Sequence, residues 1–195
     1  MYPENLNNKK IILASKSPRR QYLLKELGLD FKVIIKEINE TYPEYLIPEQ
    51  VAVYLCEQKA KAFQDNELTD NTIIIITADT IVCLEDKILG KPVDYDDAVN
   101  TLQQLSGKEH AVITGVCLRA KNKTTSFYAK TKVHFKQLSL EEIHYYIEKY
   151  KPYDKAGAYG IQEWIGYIGI DKIEGSFYNV MGLPVQRLYE ELLRF

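Results

Sequence analysis

The sequence predicts an α/β fold built around a mixed β-sheet. Helical and strand patterns alternate along the chain, which is typical of this class. The β-branched run at 73–84 predicts a strand that is buried on both faces. Two alternating segments at 111–118 and 127–135, separated by a polar stretch, predict an antiparallel hairpin. Interleaved helices together with a hairpin require strands of both directions in the sheet.

The composition predicts one globular domain over residues 1–195. The chain has 195 residues of which 46% are hydrophobic, enough for a proper core. Its net charge of -2 argues against nucleic-acid or membrane-surface partners. The polar start, residues 1–10, and the lack of any apolar run of about 18 residues predict neither export nor a membrane anchor. Three well-separated cysteines without a CxxC pair predict reduced core residues and a cytoplasmic protein: Cys56, Cys83 and Cys117.

The first predicted helix follows directly on an apolar strand at 11–14. Ser17 is a good N-cap, Pro18 suits the first helical position, and Gly28 is placed to end the helix. The next predicted elements are a strand in which Phe31, Val33 and Ile35 alternate and a helix over about 48–63. Three more helices are predicted: one capped by Asp94 and closed by Gly107, one from the Ser139/Glu142 capping box to about Tyr150, and one that begins near Pro184.

This first helix start is predicted to hold an anion. Arg19 and Arg20 fall in the first turn, where cations oppose the helix dipole, and a bound phosphate would compensate them. The alternative is a solvated arginine pair that happens to begin a helix.

Asp79 is a carboxylate in the middle of the apolar strand, and burial there requires cations, a metal or hydrogen bonds. It is either a functional group or a strand-end acid bonded to backbone amides. Glu40 in a loop would join it only if the fold brings them together, and two carboxylates with cations suit phosphoryl or nucleotidyl chemistry. Lys59 and Lys91 are the nearby cations, each of which is alternatively a solvated surface charge.

The Gly-rich segment 154–162 ends in Gln162, whose amide offers a donor and an acceptor and matches the imide edge of a pyrimidine such as uracil. The alternative is a loop with an exposed glutamine. The three histidines show no zinc or triad spacing, and GxSxG and GxxxxGK[ST] motifs do not occur.

Four sequence blocks and a terminal GLP occur in order along nearly the whole chain. They are ASKSPRRQYLLKELG at 14–28, TADTIVCLEDKILGKP at 77–92, LSGKEHAVITGV at 105–116, DKAGAYGIQ at 154–162 and GLP at 182–184. Together they resemble the Maf family of nucleoside triphosphate pyrophosphatases. The resemblance implies an α/β, Maf/ITPase-like fold, an elongated mixed β-sheet with flanking helices and two lobes around a nucleotide cleft, often as a homodimer. It implies hydrolysis of a nucleoside triphosphate to the monophosphate and pyrophosphate, with a divalent metal cation (Mg²⁺ or Mn²⁺).

The resemblance also implies roles for individual residues. Asp79 matches the general base. The alternative is that Asp79, together with Glu40, binds the metal, so that proton transfer and metal ligation stay open for Asp79. The phosphate-side positions are Ser15, Arg20, Glu40, Lys59 and Lys91, and the positions that set base choice are Arg19, Thr80 and Gln162. This combination is similar to the branch that prefers dTTP and UTP, and modified pyrimidine triphosphates are further candidate substrates. Glu163-Trp164 follows Gln162 where many members have Gly.

Two alternatives remain at this point. One is a pyrophosphatase for 7-methyl-GTP or other modified nucleotides, which a substrate panel would separate from the dTTP/UTP branch. The other is a non-catalytic nucleotide-binding protein, which would bind nucleotide without releasing pyrophosphate.

Overall fold

The computed structural model describes residues 6–68 and 72–195, without the side chain of residue 66. Of the polar start predicted over residues 1–10, the first five residues lie outside the described range. The strands are β1 Lys10–Leu13, β2 Phe31–Val33, β3 Ile73–Leu84, β4 Lys87–Leu89, β5 Glu109–Ala120, β6 Lys123–Phe135 and β7 Ile170–Glu174. The helices are α1 Pro18–Glu26, α2 Pro48–Lys61, α3 Tyr95–Leu105, α4 Leu140–Tyr150, α5 Trp164–Gly169, α6 Phe177–Met181 and α7 Val185–Arg194.

The predicted α/β class with a mixed sheet is confirmed. Seven strands form one sheet in the order β2-β1-β3-β5-β6-β7, and β4 pairs with β3. Strand β1 is parallel to both β2 and β3, whereas β3 with β4 and β6 with β7 are antiparallel. The predicted hairpin is present as β5 and β6, which neighbour each other and are joined by the two residues 121–122.

The predicted helix ends are also confirmed. The Ser17 side chain accepts a hydrogen bond from the Arg20 backbone N–H, Pro18 is the first residue of α1, and Gly28 follows the helix with φ of 73°. Asp94 caps α3 by accepting from the backbone N–H of residue 97. Ser139 and Glu142 form the predicted capping box of α4. These side chains satisfy backbone groups that a helix end leaves without partners.

Two predicted strand boundaries are wrong, for reasons that lie in the pairing of strands. The strand predicted to reach Ile35 ends at Val33, because its partner β1 ends at Leu13 and Ile34 makes the last backbone hydrogen bond to Leu13. The polar stretch predicted to separate the hairpin strands is itself strand over most of its length, since pairing in the sheet satisfies its backbone groups. The helix predicted over about 48–63 is confirmed as Pro48–Lys61.

The chain divides into two compact units. Unit 1 comprises the described residues within 1–79, together with 114–129 and 182–195, and unit 2 comprises residues 80–113 and 130–181. Unit 1 has a tight contact between α2 and β5, where a Cβ on Gly115 would lie 2.2 Å from the carbonyl oxygen of Ala52. In unit 2, His110, Phe135 and Tyr159 pack edge to face with ring centroids 4.9–5.4 Å apart. Within the described parts of the chain, no helix has the length and apolar character needed to cross a membrane.

Candidate active site

The turn between β1 and α1 in unit 1 is organised around Ser15. The buried Ser15 hydroxyl accepts a hydrogen bond from the backbone N–H of Ser17 at 3.2 Å. Its carbonyl oxygen accepts from the Gln21 side chain at 3.2 Å. The N-terminus of α1 follows immediately, and its first turn contains no acidic residue. The turn is therefore fixed next to backbone N–H groups that favour an anion.

Arg20 is held in place by backbone carbonyls of unit 1. Its Nε donates to the carbonyl oxygen of Gly182 and its Nη1 to that of Ala78, both at 2.8 Å. Nη1 also lies 3.5 Å from the Ser15 hydroxyl. Because Ala78 directly precedes Asp79, these bonds fix the plane of the guanidinium beside that carboxylate. A guanidinium has five N–H donors, so contacts of this kind orient it without using all of them.

Lys59, on α2, joins the two predicted carboxylates. Its Nζ donates a hydrogen bond to Asp79 Oδ1 and forms an ion pair with Glu40 Oε1 at 2.8 Å. The side chains of Lys59 and Asp79 are 16% and 13% exposed, whereas that of Glu40 is 48% exposed. The alternative of Lys59 as a solvated surface charge is therefore wrong. Unit 1 brings together Ser15, Arg20, Glu40, Lys59 and Asp79, a convergence that the residues alone left open and that the resemblance implied.

The location of Asp79 in β3 explains how a charge is accommodated in a buried strand. Asp79 and Thr80 are the two half-buried residues between fully buried stretches on either side. The preceding Thr77 is buried and donates its hydroxyl hydrogen to the carbonyl oxygen of Cys56 at 2.6 Å, which ties β3 to α2. Cys56 lies one helical turn before Lys59, so this bond brings the lysine beside Asp79.

The electrostatic environment of Arg20 reflects the same cluster. Burial lowers the pKa of Arg20, and the nearby charge of Asp79 acts in the opposite direction. The positive charge of Arg19, half-buried on the same helical turn, lowers the Arg20 pKa further, while Glu40 raises it. An arginine stays protonated in proteins, so Arg20 contributes a fixed positive charge.

Three of the predicted positions belong to unit 2. Thr80 is half-buried on β3, and Lys91 is exposed just after β4. The carbonyl oxygen of Gly90 accepts a hydrogen bond from the backbone N–H of Gly157 at 3.0 Å, which ties the Lys91 loop to the Gly-rich segment. Gly157 has φ of 71°, and a Cβ there would lie 2.9 Å from the side chain of Val82. Glycine is required at this close approach.

Gln162, the third of these positions, lies at the end of the Gly-rich segment. It is half-buried, and its Oε1 is buried without a hydrogen-bond partner in the parts of the chain that the structure describes. Such an unpaired acceptor is rare and costs free energy. Its Nε2 lies 3.0 Å from the position that a Cβ on Gly160 would occupy. The exposed-glutamine alternative is therefore wrong, and Oε1 is a covered acceptor without a donor in the described chain.

Two groups of side chains could hold a cation. Asp79 and Glu40 converge on one position, now filled by Lys59 Nζ, and carboxylate oxygens of this kind fit Mg²⁺ or Mn²⁺. The second group, in unit 2, is Glu109, His134 and Glu174, whose ligand atoms lie within 4.8 Å of one another. There, lysines already pair with both carboxylates: Lys132 with Glu109 at 2.9 Å and Lys172 with Glu174 at 2.7 Å. That surface group is an ion-pair network.

Sequence reasoning missed the backbone partners of Arg20 and a buried network next to Gln162. The carbonyl groups of Ala78 and Gly182 carry no side-chain signal. In the network, Tyr146 donates its hydroxyl hydrogen to Glu163 Oε2, and Lys155 pairs with Glu163 Oε1 at 3.2 Å. Glu163 is an acid next to the predicted specificity residue, but nothing in the sequence marks it as buried.

Known proteins are similar to this chain over nearly its whole length. A relative from Phocaeicola vulgatus is 55% identical over 97% of this chain and 97% of its own, and one from Parabacteroides distasonis is 51% identical over 98% and 99%. A third, from Flavobacterium psychrophilum, is 52% identical over 99% and 98%. All three are named dTTP/UTP pyrophosphatase. The solved structure of the Staphylococcus aureus Ham1 protein is similar with a TM-score of 0.43 and 17% identity, over 65% of this chain and 72% of that one. The family model described as Maf-like protein matches residues 10–195, and the chain belongs to that family.

Proposed function

We propose that this chain hydrolyses dTTP and UTP between the α and β phosphates, giving the nucleoside monophosphate and pyrophosphate. The observation that carries this proposal is the cluster in unit 1 in which Lys59 pairs with Asp79 and Glu40 beside the fixed guanidinium of Arg20. The relatives named dTTP/UTP pyrophosphatase, at 51–55% identity over nearly the full length, support the substrate class.

In the proposed reaction, a water oxygen attacks the α-phosphorus. The bond from that phosphorus to the oxygen that bridges the α and β phosphates breaks. The water gives a proton to the Asp79 carboxylate, and pyrophosphate leaves with the bridging electrons. Lys59 and Arg20 supply positive charge where phosphate oxygens become more negative. The N-terminus of α1, behind the turn at Ser15, adds backbone N–H donors to the same end of the substrate.

A divalent cation is part of this proposal. As the alternative to its role as proton acceptor, Asp79 would hold Mg²⁺ or Mn²⁺ together with Glu40, since both carboxylates already lie around one cation position. The ion would neutralise phosphate charge and polarise the P–O bonds. Lys59 would then pair with phosphate oxygens in place of a carboxylate.

Base choice is proposed to depend on Gln162. Its unpaired Oε1 is an acceptor, and the imide N–H of uracil or thymine is a donor. Cytosine has an acceptor at that ring position, so a fixed acceptor on the protein favours the imide bases. Arg19 and Thr80 are proposed to contribute to the same choice, and Lys91 to contact phosphate.

The experiment that tests the activity is pyrophosphate release from UTP, dTTP, CTP, GTP and 7-methyl-GTP, with Mg²⁺ and with Mn²⁺. We expect UTP and dTTP to give the highest kcat/KM. Asp79→Asn should lower kcat by about 10²- to 10⁴-fold while leaving UTP binding measurable. Asp65→Asn, an acid of unit 1 that is 89% exposed and pairs with Arg119, is the matched control and should keep wild-type rates.

Each of the other outcomes would assign the chain a different function. A higher rate on 7-methyl-GTP than on UTP would assign the chain to the modified-nucleotide alternative. Nucleotide binding without pyrophosphate release would make it a binding protein, and normal turnover by Asp79→Asn would remove that residue from the chemistry.

The cellular setting is proposed to be a cytoplasmic homodimer. The three cysteines are free and buried, as expected for a protein that does not depend on disulfides. Light scattering after size-exclusion chromatography checks the dimer, for which a mass near twice 22.6 kDa is expected.

A further inference from the structure

A buried hydrogen-bond network of unit 2 surrounds the segment that ends in Gln162. The backbone N–H of Gly160 donates to the Tyr146 hydroxyl at 2.9 Å, and that hydroxyl donates to Glu163 Oε2. Lys155 pairs with the other carboxylate oxygen, Oε1, at 3.2 Å and with Asp154 at 2.8 Å. Tyr146 is fully buried, Lys155 is 8% exposed and Glu163 is 17% exposed at the side chain. Both oxygens of the Glu163 carboxylate are therefore engaged.

The backbone that follows Gln162 is held by contacts within the same region. The Glu163 N–H donates to the carbonyl oxygen of Gly160 at 3.0 Å, and the Gly166 N–H donates to that of Glu163 at 2.8 Å. A Cβ on Gly166 would lie only 1.8 Å from the carbonyl oxygen of Ile161. Backbone hydrogen bonds and close packing therefore hold the chain on the C-terminal side of Gln162.

The Glu163 carboxylate and the Gln162 amide nitrogen lie on the same side of Gly160. A Cβ on Gly160 would be 2.9 Å from Glu163 Oε2 and 3.0 Å from Gln162 Nε2, so both atoms approach one point. A carboxylate attracts an amide N–H₂ group and repels an amide oxygen. The charge of Glu163 thus favours the orientation in which Nε2 is the nearer atom and Oε1 is the one without a partner.

We propose that Glu163 is a positioning residue that, with Tyr146, keeps the acceptor oxygen of Gln162 available to the imide edge of uracil or thymine and so discriminates against cytosine. This rests on the proposed function. Oε1 is covered in the ligand-free chain, so a base reaches it after the Gln162 side chain turns. Without the charge of Glu163, the amide can present Nε2 instead, which is the group that the ring acceptor of cytosine requires.

The test is the ratio of kcat/KM for UTP to that for CTP, measured by pyrophosphate release. Glu163→Gln keeps the shape of the side chain and removes its charge, and we expect the ratio to fall about tenfold, the equivalent of one hydrogen bond. Tyr146→Phe keeps the charge of Glu163 but removes the bonds that hold Oε2 beside Gly160 and the Gln162 amide, so the ratio should fall in the same direction by a smaller factor. Asp154→Asn, which alters the other partner of Lys155, is the control and should keep the wild-type ratio.

The outcomes separate this inference from the proposed function. If wild type releases no pyrophosphate from UTP, the proposed function fails and this inference with it. If wild type releases pyrophosphate but uses UTP and CTP equally well, or if Glu163→Gln keeps the wild-type ratio, only the inference is overturned. A purely structural role would lower kcat/KM for both nucleotides together and leave the ratio unchanged, which also overturns it. Should Glu163→Gln not fold, as judged by its thermal melt, the ratio for Tyr146→Phe decides.

Discussion

The buried imidazole of His110 makes the free energy of unfolding of this protein depend on pH. The imidazole is buried in unit 2, its Nε2 lies 2.7 Å from the Tyr159 hydroxyl, and its Nδ1 has no hydrogen-bond partner in the described chain. Burial lowers the pKa of His110 from 6.5 to about 4. The native state therefore keeps this histidine neutral at pH values where the unfolded chain protonates it.

The sign of the effect follows from which state binds the proton. Between pH 6.5 and pH 4 the unfolded state binds more protons at this position, so the free energy of unfolding falls as the pH falls. With about 1.4 kcal/mol per pKa unit, the loss is about 2 kcal/mol at pH 5 and about 3 kcal/mol at pH 4. Below the native pKa the loss levels off, and above pH 6.5 it vanishes.

Urea denaturation at pH 7, 5 and 4 measures this loss. We expect wild type to lose about 3 kcal/mol more than His110→Gln between pH 7 and pH 4, since titrations elsewhere in the chain cancel in the comparison. Tyr159→Phe is the matched control: it removes the hydroxyl next to Nε2 but keeps the ring that buries the histidine, and should retain the wild-type pH dependence. Equal pH dependence of wild type and His110→Gln would refute the reasoning, and loss of the dependence in Tyr159→Phe would assign it to the hydrogen bond.

Three further substitutions test the packing and the site. Gly115→Ala forces a Cβ to 2.2 Å from the Ala52 carbonyl oxygen and should lower the free energy of unfolding by about 2 kcal/mol or more, measured by urea denaturation, while Gly90→Ala, with no atom within 4 Å of the added Cβ, should not. Arg20→Lys loses the two-point hold on the carbonyls of Ala78 and Gly182, so UTP affinity measured by calorimetry should fall about tenfold, and unchanged affinity would contradict a phosphate role. Gln162→Ala should raise KM for UTP and dTTP more than for GTP in the pyrophosphate assay, and equal changes for all bases would argue against base reading.

The sequence predicts those parts of the fold that depend on local chemistry. Helix α1 shows this in its N-cap Ser17, its first-turn proline and the glycine that follows it. Each acts within a few residues, so the sequence predicts it without knowledge of the tertiary structure. Strand boundaries are less accurate because they depend on a partner. Strand β2 stops at Val33 only because its neighbour stops at Leu13, which no local signal at residues 31–35 encodes.

The candidate site likewise contains residues that the local sequence predicts and contacts that depend on packing. A charge within an apolar strand marks Asp79 as unusual by itself, and the helix start marks Arg20. That Lys59 and Glu40 meet Asp79 depends on the packing of α2 against β3, which the bond from Thr77 to the Cys56 carbonyl helps to fix. The carbonyl groups that hold Arg20 and the acid that engages Tyr146 were not predicted, because a carbonyl has no identity in the sequence and Glu163 resembles any surface acid until its burial is known.

The charges of the unit 1 cluster explain why a divalent cation is expected in the reaction. Asp79 and Glu40 carry two negative charges, which Lys59 and Arg20 balance, and Arg19 adds one more positive charge. A triphosphate brings several negative charges to this cluster, more than Arg19 can offset, and it also competes with both carboxylates for Lys59.

Pyrophosphate release from UTP should therefore stop in EDTA and return with added Mg²⁺ or Mn²⁺. Glu40→Gln should raise the metal concentration needed for half-maximal rate, whereas Glu44→Gln, at an exposed acid of the same loop, should not. Full activity in EDTA would mean that the lysine and arginines suffice, that Asp79 acts as proton acceptor without binding a metal, and that Glu40 serves only to hold Lys59 in place.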